Sequence, residues 1–546
     1  MVRSPSVHGS WEVVHERWFM VHSREKYSPG EAPRNFNFPF LPFTICLKPS
    51  NFALIFGLSA FQQFRMPRLV IVSVAKIGWI AAARSAARHQ LSSLTFHLYH
   101  PIPFKSKIIN HPTCYIPNPS YLRRMKRTVA LHTLGCKLNY SETTSIGRLL
   151  ENEGFVKKEF DEQADVYVIN TCSVTENADK ECRMLVRRIQ RKAPEALVVI
   201  TGCYAQLKPK EIAAIPGVNL VLGAAEKFNI AAHLKDLTQN DATKICSCDI
   251  EEVNIFTPSH SVNERTRMFL KVQDGCDYNC SFCTIPMARG KSRSDSINNI
   301  LANVKGFAAA GTKEIVLTGI NLGDFGKGPA GGREKEENFL ELIQALDTAG
   351  GIERYRISSI EPNLLSNEIV EFVANSRHFM PHFHLPLQSG SNTTLAAMRR
   401  RYKRELYAEK VGLIKMLMPH ACIGVDVIVG FPGETDAQFA ETVSFLQGLP
   451  VSYLHVFTYS ERDNTHALNI QPVVPINVRH QRNKILRNMS YEKMQIFTQL
   501  HIGQRRKVLF EMANKNGMMD GYTDNYIKIT TPYNTEWEHQ ITDWVI

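Results

Sequence analysis

Lys271-Val272-Gln273-Asp274-Gly275-Cys276-Asp277-Tyr278-Asn279-Cys280-Ser281-Phe282-Cys283 is the stretch on which the reading of this chain turns. A strand-like run, Met268 to Gln273, leads into three cysteines spaced C-x3-C-x2-C. Thiolates are soft ligands that suit iron–sulfur clusters, zinc or cuprous copper. A structural zinc site closes on four protein ligands, and a simple electron-transfer cluster also takes four cysteines. A tight trio therefore leaves one metal corner for something other than protein, and an open corner means chemistry.

The stretch continues Thr284-Ile285-Pro286-Met287-Ala288-Arg289-Gly290-Lys291-Ser292-Arg293-Ser294. Together with Cys276, Cys280 and Cys283 it resembles the radical S-adenosylmethionine (radical SAM) enzymes, and among them the methylthiotransferases that modify tRNA adenosines or a ribosomal protein. The resemblance implies a four-iron, four-sulfur (4Fe–4S) cluster that offers its unique iron to S-adenosylmethionine.

Upstream, β-rich runs alternate with helical ones. Thr128 to Thr133 precedes Leu134-Gly135-Cys136, with a helix from about Tyr140 to Glu153 for which Ser141 is the expected cap and Gly154 the stop. Val166 to Asn170 precedes Thr171-Cys172 and a helix over Glu176 to Lys192; Leu197 to Thr201 precedes Gly202-Cys203 and a helix near Pro209 to Ala214. Strands alternating with helices imply a parallel sheet, and open parallel sheets bind ligands beyond the carboxyl ends of their strands. Cys136, Cys172 and Cys203 all fall there. A single such cysteine is as well explained by packing as a small hydrophobe; three in register point to a second thiolate site. Cys182, Cys246, Cys248 and Cys422 read as incidental. The segments around Cys136, Cys172 and Cys203 also resemble the methylthiotransferase amino-terminal domain, which implies that they hold an auxiliary 4Fe–4S cluster that presents the sulfur.

Downstream, strands are expected at Glu314–Thr318, Tyr355–Ser359, His382–Leu387, Cys422–Val429 and Tyr453–Thr458. With Met268–Gln273 these make a partial (βα)6 barrel whose function lies at the carboxyl-end loops. Gly319, in a glycine-bearing loop where backbone can approach a ligand closely, and Glu361, at a strand end, are the expected cofactor-binding residues beside the cysteines. No catalytic side chain is assigned. His382 and His384 share one strand face, where packing or substrate contact is favoured over a metal pair. Met398-Arg399-Arg400-Arg401-Tyr402-Lys403-Arg404 reads either as a solvated helix start or as a contact for tRNA phosphates. After a charged helical run, Ile476 to Ile502, the segment from Gly503 resembles the TRAM module, a small β-barrel that helps this family hold RNA, and it stops at Ile546 before the module's last strand is expected to close.

The chain's 546 residues imply several domains, and its 44% hydrophobic and 21% charged composition is that of a globular protein. The net charge of +12 is concentrated at one end: residues 1–124 carry 15 Lys and Arg against 4 Asp and Glu, so the remainder is nearly neutral. RNA binding then requires a local patch rather than a global field. Twelve dispersed cysteines fit a reducing compartment with metal ligands. The most apolar run, Leu69 to Ala83, is broken by Lys76 and is too short for a membrane span. From Ala32 to Arg124 there is no acidic residue, which fits an organellar targeting segment, a basic disordered arm, or translated upstream sequence before a working start at Met125; the last is preferred.

The expected organisation is a non-family extension over residues 1–124, an α/β domain over 125–240, a linker over 241–264, a radical SAM barrel over 265–475, a helical connector over 476–502 and a TRAM-like β domain over 503–546. The resemblance implies methylthiolation of N6-threonylcarbamoyladenosine beside the tRNA anticodon, using two molecules of S-adenosylmethionine and two 4Fe–4S clusters. It further implies a cytoplasmic monomer with no membrane contact, reduced by a donor such as flavodoxin or ferredoxin. The alternatives are a methylthiotransferase for isopentenyladenosine tRNA or a ribosomal protein, a non-catalytic iron–sulfur or zinc RNA-binding protein, and a radical enzyme for a small metabolite.

Overall fold

The computed structural model describes residues 127–173, 176–239, 241–261, 267–332, 334–514 and 516–546. Ahead of these only three short strands are described, Ile45–Cys46, Ala53–Phe56 and Val72–Ser73, paired antiparallel. The competing readings of residues 1–124 and of a start at Met125 otherwise lie outside the described residues.

The first sheet is all parallel. It contains β1 (Thr128–Thr133), β2 (Val156–Lys158), β3 (Val166–Thr171), β4 (Leu197–Gly202), β5 (Leu220–Leu222) and β6 (Lys244–Cys246), in the spatial order β2-β1-β3-β4-β5-β6. β3 and β4 are buried along their whole length, as their unbroken apolar runs require of central parallel strands. Alternate residues serve opposite faces. Val166 and Val168 pack with Ile146 and Leu150 of α1 (Lys137–Asn152) and with Ile230 and Leu234 of α5 (Ile230–Leu234). Tyr167 and Ile169 pack against α2 (Glu176–Lys192), whose Cys182, Leu185, Val186 and Ile189 repeat at helical spacing, and against Ile212 of α4 (Pro209–Ala213).

Several expectations shift. α1 starts at Lys137, directly after Cys136, so Ser141 is not its cap but lies within the helix, donating to the Leu138 carbonyl at 2.8 Å. Gly154 does follow the helix end, with φ +92°. The helix α3 (Cys203–Leu207) and the short strands β2, β5 and β6 were not anticipated, because elements of three to five residues hold too little of a period to register. The expected linker 241–264 supplies β6 to the first sheet and β7 (Ser259–His260) to the next.

That next body holds β8 (Arg267–Lys271), the hairpin strands β9 (Gln273–Asp274) and β10 (Arg293–Ser294) with α6 (Ile285–Arg289) between them, α7 (Ile297–Ala309), β11 (Glu314–Thr318), α8 (Phe339–Ala349), β12 (Arg354–Ile357), α9 (Asn367–Asn375), β13 (His382–Gln388), α10 (Asn392–Ala397), α11 (Arg404–Leu417), β14 (Cys422–Val429), α12 (Asp436–Gly448), β15 (Tyr453–Thr458) and α13 (Ile476–Gln499). β8, β11 and β12 pair in parallel, as do β13, β14 and β15, and a parallel bridge from Ser359 to His384 links the two sets. Spatial order thus follows chain order, the layout of an open (βα) barrel. Outward residues such as Leu270, Leu317, Ile357, Leu385, Val425 and Leu454 form one core with α7, α8, α9, α11, α12 and α13. Their neighbours in sequence, among them Lys271, Thr318, Arg356, His384, Asp426 and His455, face inward.

The chain ends in an antiparallel sheet, β18-β17-β16-β19, made of β16 (Arg505–Ala513), β17 (Met518–Thr523), β18 (Lys528–Pro532) and β19 (Ile541–Val545). It packs on the amino ends of the barrel strands. Arg354 donates to the carbonyls of Tyr522 and Lys507, Arg356 to those of Asp524 and Thr523, and Arg267 to Glu511. Among the described residues no helix is long and apolar enough to cross a membrane.

Candidate active site

The trio that opens the chemistry sits in the loop from β9 to α6. Gly275 turns the chain with φ +71°, and a Cβ there would meet the Lys291 carbonyl oxygen at 2.0 Å, so only glycine fits. Cys276 donates its N–H to the Gly290 carbonyl at 3.0 Å. The N–H groups of Tyr278 and Ile285 donate to the sulfurs of Cys276 and Cys283, each at 3.4 Å. Burial pushes all three thiols up, Cys283 to about 12, and the neighbouring thiolates add to the rise at Cys276 and Cys283. Three crowded thiols that resist ionising together are matched to a cationic centre, which deprotonates its sulfur ligands. The donor set fits a 4Fe–4S cluster held by three thiolates.

Arg400 completes this corner. Its Nη1 lies 3.2 Å from the Cys280 sulfur and its Nη2 pairs with Glu361. Burial pushes the Glu361 carboxyl up, against the pull of Arg400. Arg401 stacks 3.9 Å from the Tyr278 ring centroid and donates to the Asp277 carbonyl at 3.2 Å. Neither reading of the run Met398–Arg404 anticipated this: two of its arginines pin the cysteine loop. The signal was an arginine cluster, but its partners are remote in sequence. Gly319 has a packing explanation, since a side chain there would collide with Gln273 Oε1 at 2.8 Å. That amide oxygen instead accepts from the N–H groups of Ile320 and Asn321, at 2.9 and 3.0 Å.

Cys136, Cys172 and Cys203 follow β1, β3 and β4, and the sheet register brings their turns together. Gly135, with φ +99°, lies so close to Cys172 that a Cβ would stand 2.9 Å from its sulfur. Asn139 ties the turns, its Nδ2 donating to the carbonyls of Leu134 and Thr171 at 2.8 and 3.0 Å. Thr171 Oγ1 donates to the Thr201 carbonyl at 2.5 Å. Burial pushes the Cys203 thiol up, Arg289 and Lys227 oppose the rise, and a charge on Cys136 adds to it. Three thiols with Arg289 and Lys227 acting on them, and among the described residues no fourth ligand recorded beside them, again fit a cluster with an open position. α3, which begins at Cys203, packs against α6, which follows Cys283, so both trios border one seam.

Below the first trio, the inside of the barrel is polar. His384, Asp426 and His455, from three adjacent strands, place ligand atoms within 4.8 Å of one another and could hold a cation or orient a bound molecule. His384 Nε2 lies 2.7 Å from Asp426 Oδ1, and its Nδ1 lies 3.3 Å from Ser359 Oγ. His382 shares that strand face but is used for packing: it stacks on Tyr526 with ring centroids 4.2 Å apart, and burial holds its pKa well below the usual range. Cys182 and Cys422 are buried. Cys246 lies 3.7 Å from His233 Nδ1.

Two families match the chain: Uncharacterized protein family UPF0004 over residues 128–223 and the Radical SAM superfamily over residues 270–446. The chain is 38% identical over 413 residues to the threonylcarbamoyladenosine tRNA methylthiotransferase MtaB of Bacillus subtilis, covering 74% of this chain and 90% of that one. The MtaB of Aquifex aeolicus is 38% identical over 73% of this chain and 96% of its own. A tRNA-2-methylthio-N(6)-dimethylallyladenosine synthase from Clostridium botulinum is 31% identical over 71% of this chain and 86% of its own. A solved radical S-adenosylmethionine methyltransferase, TsrM from Kitasatospora setae, is 15% identical, with a TM-score of 0.44 over 61% of this chain and 75% of that one, too loose a match to bear on function.

Fold and site together define a radical SAM enzyme, with S-adenosylmethionine and an iron–sulfur cluster as its cofactors. Within that superfamily the chain belongs to the methylthiotransferases.

Proposed function

We propose that this enzyme adds a methylthio group to N6-threonylcarbamoyladenosine beside the anticodon of tRNA, with Cys276, Cys280 and Cys283 holding the cluster that binds S-adenosylmethionine and Cys136, Cys172 and Cys203 holding an auxiliary cluster. The observation that carries the reading is the convergence of two open thiol trios on one seam. When bound, the two clusters would supply the electron that activates S-adenosylmethionine, at the first trio, and the sulfur, at the second. The chain's own residues do the rest. The N–H donors of Tyr278 and Ile285, with Arg400, stabilise negative charge on the first trio's sulfurs. Glu361, fixed by Arg400, presents a carboxylate at the barrel mouth. His384, Asp426 and Ser359 line the interior with directional hydrogen-bond groups. Gly319 opens the proposed cofactor loop, whose Asn321 Oδ1 accepts from the Glu361 N–H at 3.5 Å.

The substrate branch rests on the relatives, since those named for threonylcarbamoyladenosine match at 33% to 38% identity and those named for dimethylallyladenosine at 31%. The domain bounds 125–240, 265–475 and 503–546 belong to the proposal, with the last as a TRAM-like RNA-holding sheet. So do a monomeric state, a flavodoxin- or ferredoxin-type donor and action in the cytoplasm, where tRNA is modified.

The test is anaerobic reconstitution followed by incubation with anticodon stem–loops bearing either threonylcarbamoyl- or dimethylallyladenosine, read by nucleoside mass spectrometry. A methylthio mass gain on the first alone supports the reading, and a gain on the second alone assigns the other branch. Gain on neither, with no spectral response of the clusters to S-adenosylmethionine, would make the metal sites structural staples.

A further inference from the structure

The two trios share a buried network of charges at the seam. Glu142 of α1, fully buried, accepts from Lys227 Nζ at 2.6 Å, Lys271 Nζ at 3.1 Å and Arg289 Nη1 at 3.1 Å. Asp274 accepts from Lys271 at 3.2 Å and from Arg289 Nη1 at 2.9 Å. Arg289 Nη2 also donates to Asn139 Oδ1 at 2.5 Å. Asn139 is the residue that ties the turns of the second trio, and Asp274 lies two residues before Cys276. Arg289 therefore touches, through one side chain, the supports of both cysteine sites.

The charges do not balance. Among the described residues the carboxylates paired with Lys227, Lys271 and Arg289 are Glu142 and Asp274, which leaves one buried cation in excess, and the hydrogen bonds of Arg293 beside them go to carbonyl oxygens. An uncompensated buried cation is costly; burial pulls the Lys227 pKa down, and an anionic group beside the network would offset the excess. Arg289 reaches the second trio through Asn139 and through the packing of α6 on α3, which begins at Cys203; burial works against its charge, but Glu142 and Asp274, then the charges of Cys203 and Cys136, hold its pKa well above the ordinary value. A cluster held by thiolates carries net negative charge, which grows by one on reduction. Its potential follows local charge and hydrogen bonding.

We propose that Arg289 is a positioning residue that places the excess positive charge of this network behind Cys136 and Cys203, and thereby sets the reduction potential of the auxiliary centre. The inference rests on the proposed function, which assigns a cluster to that trio. The same contacts couple the centre to the first trio, because Arg289 cannot leave Asn139, which ties the turns of one trio, without releasing Asp274, two residues before the other.

The test isolates the auxiliary centre in the full chain by changing Cys276, Cys280 and Cys283 to Ala, reconstitutes it, and measures its midpoint potential by titration followed with electron paramagnetic resonance. Arg289→Gln is expected to lower the one-electron reduction constant about tenfold, a shift of about 59 mV to more negative potential. Arg289→Lys, which keeps the charge, is expected to stay within about threefold of the parent on the same scale. Glu142→Gln removes a negative charge and is expected to move the potential the opposite way, which keeps the inference testable if Arg289→Gln does not fold. Equal shifts for the Gln and Lys variants, or no shift in Arg289→Gln and Glu142→Gln with iron present, overturn it. Absence of iron from the isolated trio in the parent overturns the functional reading as well, so the two failures are distinct.

Discussion

Cys276, Cys280 and Cys283 come from one loop, held by its own backbone, by Gly275 and by Arg400 reaching across from beyond β13. Cys136, Cys172 and Cys203 come from three separate turns and meet only because β1, β3 and β4 lie side by side in register. The first site is built by a loop, the second by a sheet. Damage to a loop should empty one site and leave the other filled, whereas damage to the seam should reach both.

The largest effect expected from this contrast is in metal content. Changing Cys276, Cys280 and Cys283 to Ala should cut iron from about eight to about four per chain after anaerobic reconstitution, and changing Cys136, Cys172 and Cys203 should do the same. Activity should be abolished in either case. A parent that holds about four irons, all lost with the first trio, would break the symmetry between the sites.

Next come the glycines that shape each site. A Cβ at Gly202, with φ +96°, would stand 2.3 Å from the Thr171 carbonyl oxygen. Gly202→Ala should destabilise the six-stranded parallel sheet by about 2–4 kcal/mol and lower iron at the second trio alone. Gly275→Ala should deplete the first trio alone. Iron analysis of each variant, with either trio already removed, separates the outcomes.

Arg400→Leu removes the donor to the Cys280 sulfur and strands Glu361. Breaking a buried pair in this way costs about 3–5 kcal/mol, so a marked fall in thermal midpoint and weaker S-adenosylmethionine binding are expected, with the second trio still loaded. A variant that binds the cofactor as the parent does would remove Arg400 from the site.

The smallest effect concerns the strand between the two sites. Burial, and then Arg148, hold His260 down to about 4. The unfolded chain takes up this proton near the ordinary value of about 6.5, so the associated stability is intact above that pH and is lost as pH falls from about 6.5 towards about 4. The loss should be on the order of 2–3 kcal/mol. Denaturant unfolding of the parent and of His260→Gln across this window should show a flatter profile in the variant.

Much of this was legible in the sequence. The long strands and helices announce themselves through apolar runs and helical spacing, and β11, β14, β15 and α2 have the expected bounds. What was missed is short or relational. β2, β5 and β6 are three residues each, and their place in the sheet comes from neighbours. His384 reads as half of a histidine pair with His382, yet its partners, Asp426 and His455, lie on other strands. Arg400 and Arg401 look like surface charge until the chain carries them to the cysteine loop.

The sequence by itself determined that Cys276, Cys280 and Cys283 lie close together, because residues spaced within one loop need no tertiary contact to be neighbours. It also determined the alternation that forces parallel sheets, since backbone pairing and apolar burial act over a few residues. Only the tertiary structure decided what surrounds the sulfurs: which cations act on Cys203, which arginine touches Cys280, and that Glu142 of α1 and Asp274 of β9 share one buried network. Charge pairing acts through space and is strongest where water is excluded, and which groups share a dry interior is settled only when the chain has folded.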